Sequence, residues 1–148
     1  MPNVSSSARD RAALQKVVLV LARTRVMRRA ATRAATSLRR RRVVVDKARL
    51  VDVMPWWTFF TCYVAFVHLL VDTWDESLLH DESVYLLLKD GYRKELRRNR
   101  NAVFHTEAWS DPRLAALREE KFRVWIEQVV LAIQAYCQRA IQRLAMGR

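Results

Sequence analysis

The chain has 148 residues and a formal net charge of +12, a length that suits one domain of the usual size, roughly 100 to 200 residues, and buries a core without staples. Gly91 and Gly147, with Pro2, Pro55 and Pro112, are the full stock of those turn formers, too few for a many-stranded fold. Cys62 and Cys137 lie in apolar stretches with no CxxC spacing, which excludes a disulfide framework and a zinc site and points to two buried thiols in a reducing cytosol.

The charge is concentrated at one end. Residues 1–50 hold 14 Lys and Arg against Asp10 and Asp46, whereas residues 51–148 are neutral overall. Such a basic arm attracts polyanions by counterion release, which makes RNA, DNA or an anionic membrane surface its natural partner. Ser7 followed by Asp10 predicts a helix N-terminus. The first helix is then carried by Val17, Leu21, Met27, Ala31, Ala34 and Leu38 at helical spacing. Arg25, Arg29 and Arg33 recur every four residues on another face, either a solvated row or a nucleic-acid contact. Arg39 to Arg42 form an unbroken basic run, and Val43 to Met54 is either a loop or more helix.

Pro55 suits the first turn of a second helix running from Trp56 to about Trp74. The 18 residues from Met54 to Val71 contain no Asp, Glu, Lys or Arg, just short of the roughly 20 that a membrane-spanning helix needs. Thr58, Thr61, His68 and Pro55 interrupt that run, and the sequence after it is amphipathic, so the central helix of a bundle is the expectation and a membrane anchor with a cytoplasmic basic end the alternative. The run Val17 to Leu21 ends in Arg-rich sequence with no cleavage site, so no secretory signal is expected, although the Ser- and Arg-rich start is similar to an organellar transit peptide. His68 and Asp72, four apart, predict a hydrogen-bonded pair within the second helix.

Asp75-Glu76-Ser77 predicts the start of a third helix that stops at Asp90-Gly91. His80 beside Asp81 and Glu82 reads as an acidic helix surface rather than a metal site. A fourth stretch begins at Tyr92, and Ser110-Asp111-Pro112 predicts the start of the last helix, whose buried stripe is Leu114, Leu117, Phe122, Trp125, Val129, Ile133, Tyr136, Ala140 and Leu144. The five tryptophans, Trp56, Trp57, Trp74, Trp109 and Trp125, sit at core spacing rather than as base-stacking platforms. The fold expected is all-α, an up-and-down bundle of four to five helices in one domain over 1–148.

No phosphate loop, GxSxG, HExxH or EF-hand pattern is present, so no metal or other cofactor is expected. The chemistry-bearing stretch is Arg97-Arg98-Asn99-Arg100-Asn101-Ala102-Val103-Phe104-His105. Neighbouring cations disfavour an imidazolium, so His105 is expected to exchange protons near neutral pH. Arg97, Asn101 and His105 share a helix face, while Arg100 lies about 140° from His105. Metal-free RNA cleavage needs a base for the ribose 2′-hydroxyl, an acid for the leaving oxygen and fixed positive charge on the phosphate. One His and one Arg supply half of that set, and two chains across a twofold axis supply it all.

Arg100-Asn101-Ala102-Val103-Phe104-His105 resembles the signature of the HEPN superfamily, an Arg, a polar residue directly after it, a short spacer and a His in an all-helical domain. The resemblance covers the motif and the helical layout of about residues 56 to 146, making 51–148 the HEPN-like core and leaving the basic first fifty residues outside the pattern. It implies a homodimer with facing motifs and metal-independent endoribonuclease activity, often that of a bacterial toxin or phage-defence effector in the cytoplasm. Arg100 would engage the scissile phosphate, His105 would act as general acid or base, and Asn101 would orient either. Arg97 and Arg98, with Arg25, Arg29 and Arg33, are the candidate RNA-binding residues. An acidic antitoxin protein is the partner that would neutralise the basic arm. The other readings are a non-catalytic HEPN module that binds RNA or protein, and the membrane-anchored protein.

Overall fold

The computed structural model describes residues 4–43, 50–89, 92–104, 117 and 119–146, and among them it holds five α-helices and no strand. These are α1 (Val4–Arg40), α2 (Leu50–Ser77), α3 (Glu82–Lys89), α4 (Arg93–Phe104) and α5 (Glu120–Met146). The all-α helical bundle expected from the periodicities is the fold observed.

Helix α1 has no Gly or Pro along 37 residues, so nothing in it breaks the backbone ladder. It starts at Val4, ahead of the Ser7 cap expected from sequence. Serines cost only tenths of a kcal/mol, about 0.5, inside a helix, so a Ser run can be absorbed as easily as it can cap. Val17, Leu21, Ala31 and Leu38 are buried as the stripe predicts, joined by Leu14 and Thr24, while Met27 and Ala34 are half-buried. Thr24 is fully buried; its hydroxyl donates to the Val20 carbonyl at 2.8 Å and lies 3.4 Å from the Phe66 carbonyl oxygen of α2. That close approach and the bond from Arg41 to the Asp52 carbonyl run α1 and α2 antiparallel over their lengths. Arg42, at φ 51°, turns the chain beyond α1.

Helix α2 differs from expectation at both ends. It begins at Leu50, so Pro55 lies inside it rather than in its first turn. It continues through Asp75-Glu76-Ser77 instead of restarting there. Its stop is local: Leu78 takes φ 58°, the left-handed region that closes helices. The Ser77 hydroxyl donates to the Trp74 carbonyl and accepts from the Leu79 N–H at 3.1 Å. The cap of α3 is Asp81, whose Oδ1 accepts the Val84 N–H at 3.2 Å, the N-cap geometry. Asp75-Glu76-Ser77 resembles a start because acids and Ser favour N-termini, but the apolar stripe of α2 runs through Trp74 and outweighs them.

The core lies where α2 meets α1, α4 and α5. Val17, Val64, Val67, Leu70, Leu96, Phe122, Ile126 and Val129 are essentially inaccessible. Tyr63 against Glu127 and Trp74 against Tyr136 set α2 and α5 parallel. Trp125 donates its indole N–H to the Leu87 carbonyl at 2.9 Å, joining α5 to α3. Trp57, Trp74 and Trp125 are buried and Trp56 is half-buried, as core aromatics; Trp109 lies outside the described residues. Cys137 is buried, and burial pushes its thiol up to about 11, whereas Cys62 is only half-buried and departs from the expected pair of buried thiols. Of the α5 stripe, Leu144 is exposed, Tyr136 and Ala140 are partly covered, and Leu114 lies outside the described residues, as does the expected helix start at Ser110-Asp111-Pro112. Among the described residues one helix, Val51–Ser77, is long and apolar enough to cross a membrane. The core helix of a bundle has the same composition, and this one packs against α1, α4 and α5.

Candidate functional site

Helix α4 packs against α2, and its basic residues explain how. Arg93, Arg97 and Arg100 fall at spacings of four and three, which places them on one face, while Leu96 and Asn99 turn into the core. Arg93 pairs with Asp75 near the end of α2, and Arg100 lies beside His68 and Asp72, two turns back along α2. The two helices therefore run antiparallel, and the arginine face of α4 lies along the His68–Asp72–Asp75 edge of α2.

Between them is a pocket of about 190 Å³ lined by Ala65, Phe66, His68, Leu69, Asp72 and Arg100. His68 is buried, with its Nδ1 3.0 Å from the Asp72 Oδ2, so the two residues expected to pair from the i, i+4 spacing lie side by side at ion-pair distance rather than in a formed hydrogen bond. Burial is the main cause that lowers the His68 pKa from its ordinary 6.5; the Asp72 charge opposes it, and the Arg100, Arg97 and Arg93 guanidiniums lower it further. At neutral pH the ring is therefore uncharged. A carboxylate oxygen facing Nδ1 at 3.0 Å repels a lone pair there and so favours the tautomer with its proton on Nδ1, which leaves Nε2 with its lone pair. Nε2 has no partner among the described residues.

The expected site residues are thus distributed in four ways. Arg100 is in the pocket wall, and Arg97 is exposed on the same face of α4. Asn101 and Arg98 are exposed on α4 and do not line the pocket. His105 lies outside the described residues. Arg25, Arg29 and Arg33 are exposed on α1, and none lines this pocket. They continue the stripe of Arg11, Val18 and Ala22, which with Ile141 and Leu144 of α5 lines an apolar groove of about 630 Å³. The basic row and the Arg100 pocket are therefore separate features. Among the described residues no group of three His, Cys, Asp or Glu side chains could hold a metal ion, and His80, Asp81 and Glu82 form none.

Sequence reasoning paired His68 with Asp72 but did not bring Arg100 to them, since Arg100 lies 28 positions beyond Asp72. It also missed Asn99, fully buried, which donates from Nδ2 to the Glu95 carbonyl at 2.8 Å, with no partner for Oδ1 among the described residues. Its signal was the spacing from Leu96, masked by the flanking arginines. Comparison with protein-family models, curated proteins and solved structures finds no match to this chain.

Proposed function

We propose that the protein is a metal-independent endoribonuclease of HEPN type that works as a homodimer in the cytoplasm. The observation that carries this is Arg100, a guanidinium of the RNA-cleaving motif set in the wall of a pocket beside the uncharged imidazole of His68 and its neighbour Asp72. A fixed cation next to a proton acceptor is what transesterification at an RNA phosphate requires: the guanidinium stabilises charge on the non-bridging oxygens, and the acceptor takes the 2′-hydroxyl proton. Arg97 and Arg98, exposed on the same short helix, extend positive charge beyond the pocket along a strand of RNA. His105 would supply acid or base chemistry and Asn101 would orient it, as the family resemblance implies. The toxin or phage-defence role, with an acidic antitoxin over the basic first helix, belongs to the same proposal.

Incubating the purified full chain with total RNA in EDTA tests it. Cleavage that persists in EDTA and disappears in Arg100→Gln is the expected result; intact RNA at every protein concentration overturns it. A non-catalytic module that only binds RNA is favoured by the exposed Arg25, Arg29 and Arg33, distant from the pocket in the sequence and absent from its wall. Its signature is salt-sensitive retention of RNA with no product.

A further inference from the structure

We infer that His68 is the general base of this site, held for that role by Asp72, so that each protomer carries its own base beside its own phosphate-binding arginine. This rests on the endoribonuclease reading and adds to it a residue outside the Arg100 to His105 motif.

Three observations meet at His68. The Asp72 carboxylate, 3.0 Å from Nδ1, favours the tautomer with its proton on Nδ1, and the lone pair of Nε2 then lies on the side of the ring away from the carboxylate. The pocket places Arg100 in the same wall, so a phosphate held by the guanidinium lies next to the imidazole. The remaining walls, Ala65, Phe66 and Leu69, are apolar and reduce the water that would otherwise compete for Nε2. The guanidinium beside the ring opposes its protonation, which keeps the imidazole in its acceptor form until a phosphate neutralises the cation. The charged groups facing His68 are Asp72 on its own helix and Arg93, Arg97 and Arg100 on α4.

The step balances without any added reactant. Nε2 takes the proton of the ribose 2′-hydroxyl as the 2′-oxygen forms a bond to phosphorus, and the bond from phosphorus to the 5′-oxygen breaks. The leaving oxygen takes a proton from an acid, His105 or water, giving a 2′,3′-cyclic phosphate and a free 5′-hydroxyl. The proton on Nε2 then returns to solvent. Arg100 carries the negative charge that builds on the two non-bridging oxygens. His68 would be a catalytic residue and Asp72 a positioning residue.

The decisive experiment measures single-turnover cleavage of a short RNA in EDTA by the full chain, wild type, His68→Gln, Asp72→Asn and Arg100→Gln, between about pH 5 and 9. For wild type the rate rises with pH along an acid limb centred below 6.5, because the base must be unprotonated. His68→Gln should lose about a hundredfold or more in rate and lose that limb, with RNA affinity retained. Asp72→Asn keeps the base but removes the charge that raises its pKa, so the limb moves to lower pH and the rate falls about tenfold. A substrate with a 2′-deoxyribose at the cleaved linkage should remain intact.

If Arg100→Gln is inactive while folded His68→Gln cleaves at the wild-type rate with the wild-type profile, the nuclease reading stands and His68 as base is overturned. If wild type itself does not cleave RNA, the nuclease reading fails and takes the base with it. Should His68→Gln not fold, Asp72→Asn decides: Asp72 is about half exposed and tolerates the change, and an unshifted acid limb in that variant overturns the inference.

Discussion

Two clusters of ionisable side chains branch from α2, one at Tyr63 and one at His68, five residues apart and about 140° around the helix. In the first, Tyr63 donates to the Glu127 Oε1 at 2.8 Å, and Arg28 holds both carboxylate oxygens, with Nε at 3.1 Å from Oε1 and Nη2 at 2.5 Å from Oε2. Three helices are tied by one carboxylate whose two oxygens are both engaged. In the second, Asp72 takes one imidazole nitrogen, the other nitrogen has no described partner, and Arg100 has no ion pair among the described residues. Donors and acceptors mated inside the protein bind helices together and have nothing left for a ligand; those left open over a pocket can bind and react. Under the proposed function, that contrast gives stability to the Glu127 cluster and chemistry to the His68 cluster.

Exchange of roles between the two clusters would break the comparison. The largest expected effect is that of Arg100→Gln, which should lower RNA cleavage by a hundredfold or more through loss of one transition-state donor. Its thermal midpoint should stay within about a degree of wild type, since an exposed side chain with no ion pair among the described residues contributes little. Glu127→Ala should do the reverse, costing about 1 to 2 kcal/mol in urea unfolding because the buried Tyr63 hydroxyl is left unpaired, while cleavage per folded molecule is unchanged. Equal loss of activity in both variants would erase the distinction.

The clusters also lose stability at opposite ends of the pH scale. The folded pKa of His68 is lowered, so below its ordinary 6.5 the unfolded chain binds more protons than the folded one. Stability is complete above that value and declines as pH falls through it towards the folded pKa. Tyr63 is raised above its ordinary 10.0, first by burial and then by the neighbouring Glu127, so its contribution is complete below 10.0 and is lost as pH rises beyond it. Urea unfolding of wild type against His68→Gln and Tyr63→Phe across the pH range separates the two. The difference from His68→Gln should change only on the acid side and that from Tyr63→Phe only on the alkaline side. The smallest effect belongs to the basic row. Replacing Arg25, Arg29 and Arg33 together by Gln should leave the cleavage rate at saturating RNA unchanged and flatten the salt dependence of RNA binding by about two units of slope. No change in slope would remove α1 from the RNA-binding surface.

Most of the fold was legible because helical order is local. The stripe Val17, Leu21, Ala31 and Leu38 and the stripe Phe122, Trp125, Val129 and Ile133 are buried as their spacing predicts. Signals that carry one meaning in two places were misread. Ser7 and Asp75-Glu76-Ser77 have the composition of helix starts, but both lie inside helices, and the left-handed turn that ends α2 is made by Leu78, which no glycine or asparagine advertises. The cap of α3, Asp81, stood out in the sequence only as part of an acidic cluster.

For the site, an i, i+4 rule was enough to pair His68 with Asp72, and a motif was enough to single out Arg100. Each is a relation among neighbours in sequence, so the sequence by itself determines it. That Arg100 lies over His68 was decided by tertiary structure alone: α2 has to end at Ser77, the chain has to reverse through α3, and α4 has to return antiparallel along the Asp75 to His68 edge. The physical reason is range. Backbone hydrogen bonding and side-chain periodicity act within about four residues, whereas the meeting of two charged helix faces depends on where every intervening apolar stripe finds burial.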